Sequence, residues 1–162
     1  MKHKKILDPI FAQFFQIAKD NLKKDGYLSP LVFLLRGPYE QPESDIVVEM
    51  RFKTEEDKNL LARRIENIIQ SSGAWGYVLV NEAWLLASDD FPGQKLPRDA
   101  PPSQHAKRRE AVWVALFTYD YHIGKAAIFE RRTKQIVFTQ EITMQPDHQF
   151  AGRFATMLPP MN

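Results

Sequence analysis

The segments AWGYVLVNEAWLLA (74–87) and AVWVALFTYDY (111–121) decide the fold of this chain. Both are strongly apolar and rich in the β-branched and aromatic residues that favour strands. The polar, proline-rich segment SDDFPGQKLPRDAPPSQHAKRRE (88–110) separates them. Compact domains seldom join two elements by so long a structureless segment unless it is functional or disordered. The sequence therefore predicts two strands joined by a long loop that carries function.

Two amphipathic helices are predicted before this strand pair. Asp8 followed by Pro9 is typical of a helix start, and Gly26 supplies a left-handed stop. Apolar side chains recur at helical spacing between them, namely Phe11, Phe14, Phe15, Ala18 and Leu22. The second helix begins after the cap Thr54 and ends at Ser71-Ser72-Gly73, with a buried stripe of Leu61, Ile65, Ile68 and Ile69.

The remaining patterns predict four further strands and a helical tail. The strands are Leu31–Arg36, Asp45–Phe52, Lys125–Arg131 and Ile136–Met144, and the tail spans 147–158 with Phe150, Phe154 and Leu158 at four-residue intervals. We therefore expect one α+β domain over residues 1–162. Its largely antiparallel sheet has about five to six strands, with two helices packed on one face and a short C-terminal helix.

Composition excludes several classes of protein. The chain has 162 residues, no cysteine and a net charge of +2. The absence of cysteine rules out disulfides, thiol nucleophiles and thiolate metal sites, and is consistent with a cytoplasmic protein. No apolar run is long enough to span a membrane. The net charge is too small to indicate nucleic acid or an anionic membrane as partner through the overall field, so any basic surface must be local.

Glu82 is the strongest candidate for a catalytic group. It shares a strand face with Trp84 in an otherwise apolar segment. A carboxylate in such surroundings needs a cation or its pKa rises, which is how a general acid is produced. The structural alternative is that Glu82 lies near the strand end and is solvated, or that it forms an ion pair with Arg51, Arg109 or Arg131. No nucleophile elbow, phosphate-binding glycine motif or paired-histidine motif is present, so no cofactor and no metal are predicted.

The loop supplies the other candidate binding residues. Asp89 and Asp90 could form an acidic cluster with Glu82, or could be solvated turn residues. His105, Lys107, Arg108 and Arg109 form the basic end of the loop, which could bind phosphate or a carboxylate. Aromatic residues for base stacking are absent within the triplet 107–109, which argues against nucleic-acid binding there. Nucleic acid stays an alternative partner.

Four short segments resemble a group of uncharacterised small bacterial and phage proteins. They are DGYLSP (25–30), NEAW (81–84), RREAVWV (108–114) and GRFATMLP (152–159). The resemblance implies an α+β fold and no known activity. It also implies that Glu82, Trp84 and Arg109 form one spatial neighbourhood.

Two functions remain open at this point. The first is a non-enzymatic interaction protein that binds a protein partner or a second copy of itself through the 88–110 loop and the tail, including Phe150 and Phe154. The second is an enzyme, or a binder of small anions, with its site around Glu82 and Arg108 or Arg109. Because Phe91 and Leu96 are its only large apolar residues, we also expect segment 90–107 to be the most mobile internal part of the chain.

Overall fold

The computed structural model describes residues 2–144 and 157–158. These contain the helices α1 (Lys2–Asp25) and α2 (Glu55–Ser72). The strands are β1 (Leu31–Arg36), β2 (Glu43–Glu49), β3 (Gly76–Leu85), β4 (Arg109–Thr118), β5 (His122–Arg132) and β6 (Gln135–Met144). They form one six-stranded sheet in the order β2-β1-β3-β4-β5-β6, and every neighbouring pair is antiparallel. The predicted α+β class and antiparallel sheet are confirmed, whereas the predicted tail helix lies outside the described residues except for its last two, Met157 and Leu158.

The centre of the sheet is the pair β3 and β4. The two strands are in register from Gly76 opposite Thr118 to Leu85 opposite Arg109. A Cβ atom at Gly76 would lie 2.8 Å from the main-chain oxygen of Phe117, so this position has no room for a side chain. The long loop leaves the end of β3 and returns at the start of β4, which fixes both of its ends on the rigid part of the sheet.

The two helices lie on opposite faces of the sheet, so the prediction that they share one face is wrong. Helix α1 packs in a cluster with Val78, Val80, Val112 and Val114, whereas α2 packs in a cluster with Tyr77, Leu79, Ala115 and Phe117. Successive residues of a strand point to opposite faces. Because both faces of β3 and β4 are apolar, each face needs its own cover.

Helix α1 begins at Lys2 rather than at the predicted Asp8-Pro9 start. Proline in a helix interior removes one main-chain hydrogen bond. The additional turn places Leu7 in the core with no exposed surface, and this burial offsets the missing bond. Asp8 has a different role from the predicted cap, since its carboxylate accepts a hydrogen bond of 2.6 Å from the Tyr121 hydroxyl.

Helix α2 has the predicted ends. The Thr54 side chain accepts a hydrogen bond from the Asp57 amide, and Gly73 adopts the left-handed conformation that ends the helix. Strand β2 is displaced from its predicted bounds of 45–52, because its pairing with β1 runs from Glu49 opposite Leu31 to Glu43 opposite Arg36. Neither helix among the described residues is long and apolar enough to cross a membrane.

Candidate functional site

The long loop is folded around one buried side chain. Phe91 is buried, and its ring lies 4.9 Å from the Lys107 ammonium and 5.4 Å from the His105 ring. Lys107 also donates a hydrogen bond of 3.1 Å to the main-chain oxygen of Asp90. One aromatic residue in a polar segment thus holds the two ends of the loop together. The signal for this contact in the sequence is a single aromatic residue near the start of a polar segment.

The basic triplet 107–109 does not form a continuous basic surface. Lys107 covers Phe91, while the Arg108 guanidinium lies 4.9 Å from the centre of the Trp84 ring. Arg109 forms two hydrogen bonds with the Asp90 carboxylate, of 2.7 and 2.5 Å. This bidentate pair lowers the pKa of Asp90. Each of the three cations therefore has a separate internal contact.

The register of β3 and β4 decides which candidate residues share a face. Trp84 is opposite Glu110, so both point to the α1 face together with Glu82. Arg109 is opposite Leu85 and points to the α2 face. The expected neighbourhood of Glu82, Trp84 and Arg109 is therefore divided by the sheet. Arg108 is the arginine that lies against Trp84.

Glu82 is paired with Arg131, one of the three predicted partners. The distance between the Arg131 guanidinium and the Glu82 carboxylate is 3.4 Å, and Arg131 also lies 3.3 Å from the Glu110 carboxylate. Arg131 donates a third hydrogen bond, of 2.6 Å, to the main-chain oxygen of Gly26 at the end of α1. Arg131 thus joins β3, β4, β5 and the end of α1. The prediction of an arginine partner for Glu82 is confirmed.

The electrostatic environment of Glu82 is mixed. Burial raises the pKa of its carboxyl, Arg131 lowers it in part, and the neighbouring Glu110 raises it again. The amide of Leu28 also donates a hydrogen bond to this carboxylate, which favours the charged form. Glu82 lines a cavity of about 420 Å³ together with Asn81 and Lys58. A carboxyl in this setting could exchange a proton, but its nearest cation is already shared with Glu110.

Trp84 is the exposed aromatic residue at the end of β3, where the loop begins. Its side chain is 44% exposed, even though the Arg108 guanidinium lies over its ring. A tryptophan with an arginine over its ring combines an apolar side chain with a cation, and both residue types are enriched at the centres of binding interfaces. We call Trp84 and Arg108 the Trp84 surface.

The acidic candidates of the loop lie apart from Glu82. Asp90 is paired with Arg109 on the other side of the sheet. Asp89 is exposed and accepts a hydrogen bond of 3.4 Å from Gln140 on β6. Within residues 2–144 and 157–158, no three acidic or histidine side chains are close enough together to hold a metal ion.

The candidates of the tail lie outside the described residues, since Phe150 and Phe154 fall in the segment 145–156. Of the tail, Met157 and Leu158 are described. Met157 is fully buried in the α2-side cluster, Leu158 packs against that cluster, and the Met157 amide donates a hydrogen bond of 3.4 Å to the Tyr77 hydroxyl. The end of the tail is therefore docked on the sheet.

Sequence reasoning missed a second concave surface. A cavity of about 380 Å³, here called the hairpin cavity, lies between the end of α1 and the turn that joins β5 to β6. Lys23, Lys24 and Lys134 are among the residues that line it. The sequence places Lys23 and Lys24 far from Lys134, so only the tertiary structure brings them together.

Replacement of Phe91 by alanine should loosen the loop without unfolding the sheet. The substitution removes the ring that Lys107 and His105 contact, whereas β3 and β4 keep their pairing. We expect faster amide hydrogen exchange across 88–108 and little change within β3 and β4. Leu96→Ala is the matched control, because Leu96 lies in the same loop but is 41% exposed. Equal exchange in wild type and the Phe91 variant would contradict the anchoring role.

Comparison with curated proteins and with solved structures gives no significant match. The sequence profile of a family described as bacteriophage lambda protein ea47 matches residues 2–158, which is nearly the whole chain. The segments that resemble small phage proteins all fall within or at the end of this range. The chain therefore belongs to the bacteriophage lambda protein ea47 family.

Proposed function

We propose that this chain is a non-enzymatic phage accessory protein, which binds a protein partner through the Trp84 surface and the adjoining 88–110 loop. Family membership by itself assigns no activity. The observation that carries the proposal is that Trp84 remains 44% exposed while Arg108 is stacked on it. Tryptophan and arginine are enriched among the residues that contribute most to protein–protein binding.

The loop adds to this surface in two ways. Phe91 and the Asp90–Arg109 pair hold its base, so its ends are fixed beside Trp84. Leu96 is 41% exposed and lies near Pro97 in the middle of the loop. Prolines limit the conformations of the unbound loop and thus reduce the entropy lost when a partner orders it.

The small-anion alternative has weaker support. Arg109 is neutralised by Asp90 on the α2 face, and Arg131 is shared between Glu82 and Glu110. Arg108 is the remaining arginine proposed for such a site, and it covers the Trp84 ring. An anionic substrate would therefore have to displace existing contacts. We place the partner surface at the loop rather than at the tail, since Met157 and Leu158 pack against the core.

Capture from phage-infected cells tests the proposal. Tagged wild-type protein should retain a partner that Trp84→Ala loses, and the affinity measured with that purified partner should fall by about tenfold or more. Tyr119→Ala is the matched control, since Tyr119 is a comparably exposed aromatic residue near the other end of β4. Sedimentation of the wild type alone shows whether the partner is a second copy. Identical partners for wild type and the Trp84 variant would overturn the proposal.

A further inference from the structure

The hairpin cavity has a strongly basic lining. Its charged residues are Lys23, Lys24, Arg131, Arg132 and Lys134, against the single carboxylate of Asp25. Three of these cations are already engaged. The Lys23 ammonium lies 5.5 Å from the centre of the Phe138 ring. Arg131 is shared by Glu82 and Glu110, and Arg132 lies 2.7 Å from Glu130.

The three lysines of the cavity are not neutralised. Among residues 2–144 and 157–158, none of Lys23, Lys24 and Lys134 is within ion-pair distance of a carboxylate. All three are exposed. The dipole of α1 gives a structural reason for cations at Lys23 and Lys24. It gives none for Lys134, which comes from the β5–β6 turn, where its φ angle is +77°.

An exposed aromatic residue follows the cavity lining directly in the sequence. Tyr27 is 63% exposed and directly follows Gly26, which lines the cavity. The hydrogen bond from Arg131 fixes the main-chain oxygen of Gly26, so the chain that carries Tyr27 is held at the cavity rim. Proteins that bind single-stranded nucleic acids combine cations, which contact the phosphates, with exposed aromatic rings, on which the bases stack.

We propose that the hairpin cavity binds single-stranded nucleic acid, with phosphates on Lys23, Lys24 and Lys134 and an unpaired base stacked on Tyr27. A volume of about 380 Å³ is in the range of sites that hold a small ligand such as one nucleotide. A duplex offers no free base face to Tyr27. This site uses none of the residues of the Trp84 surface. The two proposals can therefore be tested independently of each other.

The test is fluorescence anisotropy with labelled oligothymidylate, labelled oligouridylate and a labelled DNA duplex. Wild-type protein should bind the single strands more tightly than the duplex, and the two single-stranded arms show whether DNA or RNA is preferred. Three phosphate contacts predict that the logarithm of the affinity falls with the logarithm of the salt concentration with a slope of about −2. Tyr27→Ala should weaken binding by about fivefold or more.

Charge reversal locates the site. Lys24→Glu combined with Lys134→Glu should weaken binding by about tenfold or more, because two phosphate contacts become repulsive. Lys4→Glu combined with Lys5→Glu is the matched control, since it makes the same change of charge on exposed residues at the other end of α1. Lys24→Gln combined with Lys134→Gln serves as the second variant if the protein with Lys24→Glu and Lys134→Glu does not fold. The proposal is overturned if wild type binds no single strand, prefers the duplex, or loses as much affinity in the control.

Discussion

Replacement of Tyr77 by alanine is expected to lower the free energy of unfolding by about 3–5 kcal/mol, the range for removing a large aromatic side chain from a core. Tyr77 has no exposed surface, and its ring is stacked on Phe117 with 5.0 Å between the ring centres. It lies under α2 and also contacts Met157. The substitution would leave a void beside α2, Phe117 and Met157.

Two companion variants separate the contributions of the ring and the hydroxyl. Tyr77→Phe keeps the ring and removes the acceptor for the Met157 amide, so it should cost about 1 kcal/mol. Tyr119→Ala removes an aromatic residue that is 39% exposed, and should cost less than about 0.5 kcal/mol. Urea unfolding of the three variants measures these differences. An alanine variant at 77 as stable as wild type would contradict the placement of Tyr77 in the core.

Arg131→Ala should give the second largest loss, about 1–2 kcal/mol near neutral pH, for the contacts of a half-exposed guanidinium. The substitution leaves the carboxylates of Glu82 and Glu110 near each other without their shared cation, and frees the main-chain oxygen of Gly26. Thermal unfolding at neutral pH measures the loss. Arg51→Ala is the control, because Arg51 is 75% exposed and pairs with Glu49 alone among the described carboxylates.

The loss in the Arg131 variant should depend on pH. The pKa of Glu82 is raised in the folded protein, so its protonation favours folding, and the stability that it contributes at low pH is lost as pH rises through the folded pKa. Arg131 lowers this pKa, so its removal raises the pKa of Glu82 further. The deficit of Arg131→Ala should therefore shrink as pH falls from neutral towards the pKa of Glu82. A deficit that is constant across this range would show that the charge pairing is not responsible.

A second substitution at Glu82 tests whether its charge causes the loss in the Arg131 variant. In the Arg131→Ala background, Glu82→Gln removes an uncompensated charge while the amide oxygen can still accept from Leu28. This second substitution should restore part of the lost stability near neutral pH. Its effect in the wild-type background should be smaller, since Arg131 there balances part of the burial that disfavours the carboxylate.

Local chemistry along the chain determined most of the secondary structure. Thr54 and Gly73 fix the ends of α2 through interactions within a few residues, and the bounds of β1 follow from its apolar run and the Gly37-Pro38 stop. The apolar segments 74–87 and 111–121 likewise determined that β3 and β4 are strands. Such features are predictable because the interacting atoms are close in sequence.

The start of α1 and the sides taken by the helices were decided by tertiary packing. Burial of Leu7 outweighs the start signal at Asp8-Pro9. The run Tyr77–Val80 lacks alternation, and this is the pattern of a strand covered on both faces. This pattern indicates that each face of the sheet is covered. It does not indicate which helix covers which face, because no local feature of the sequence encodes that choice.

The candidate sites depend most on the tertiary structure. The sequence identified Glu82 as a carboxylate that needs an arginine, because an apolar strand face does not solvate a charge. The register of the sheet selected Arg131 among the three arginines, placed Arg108 on Trp84 and turned Arg109 to the other face. Lys134 meets Lys24 only because the β5–β6 turn lies at the end of α1. Contacts between residues distant in sequence are set by packing and register, which no local pattern encodes.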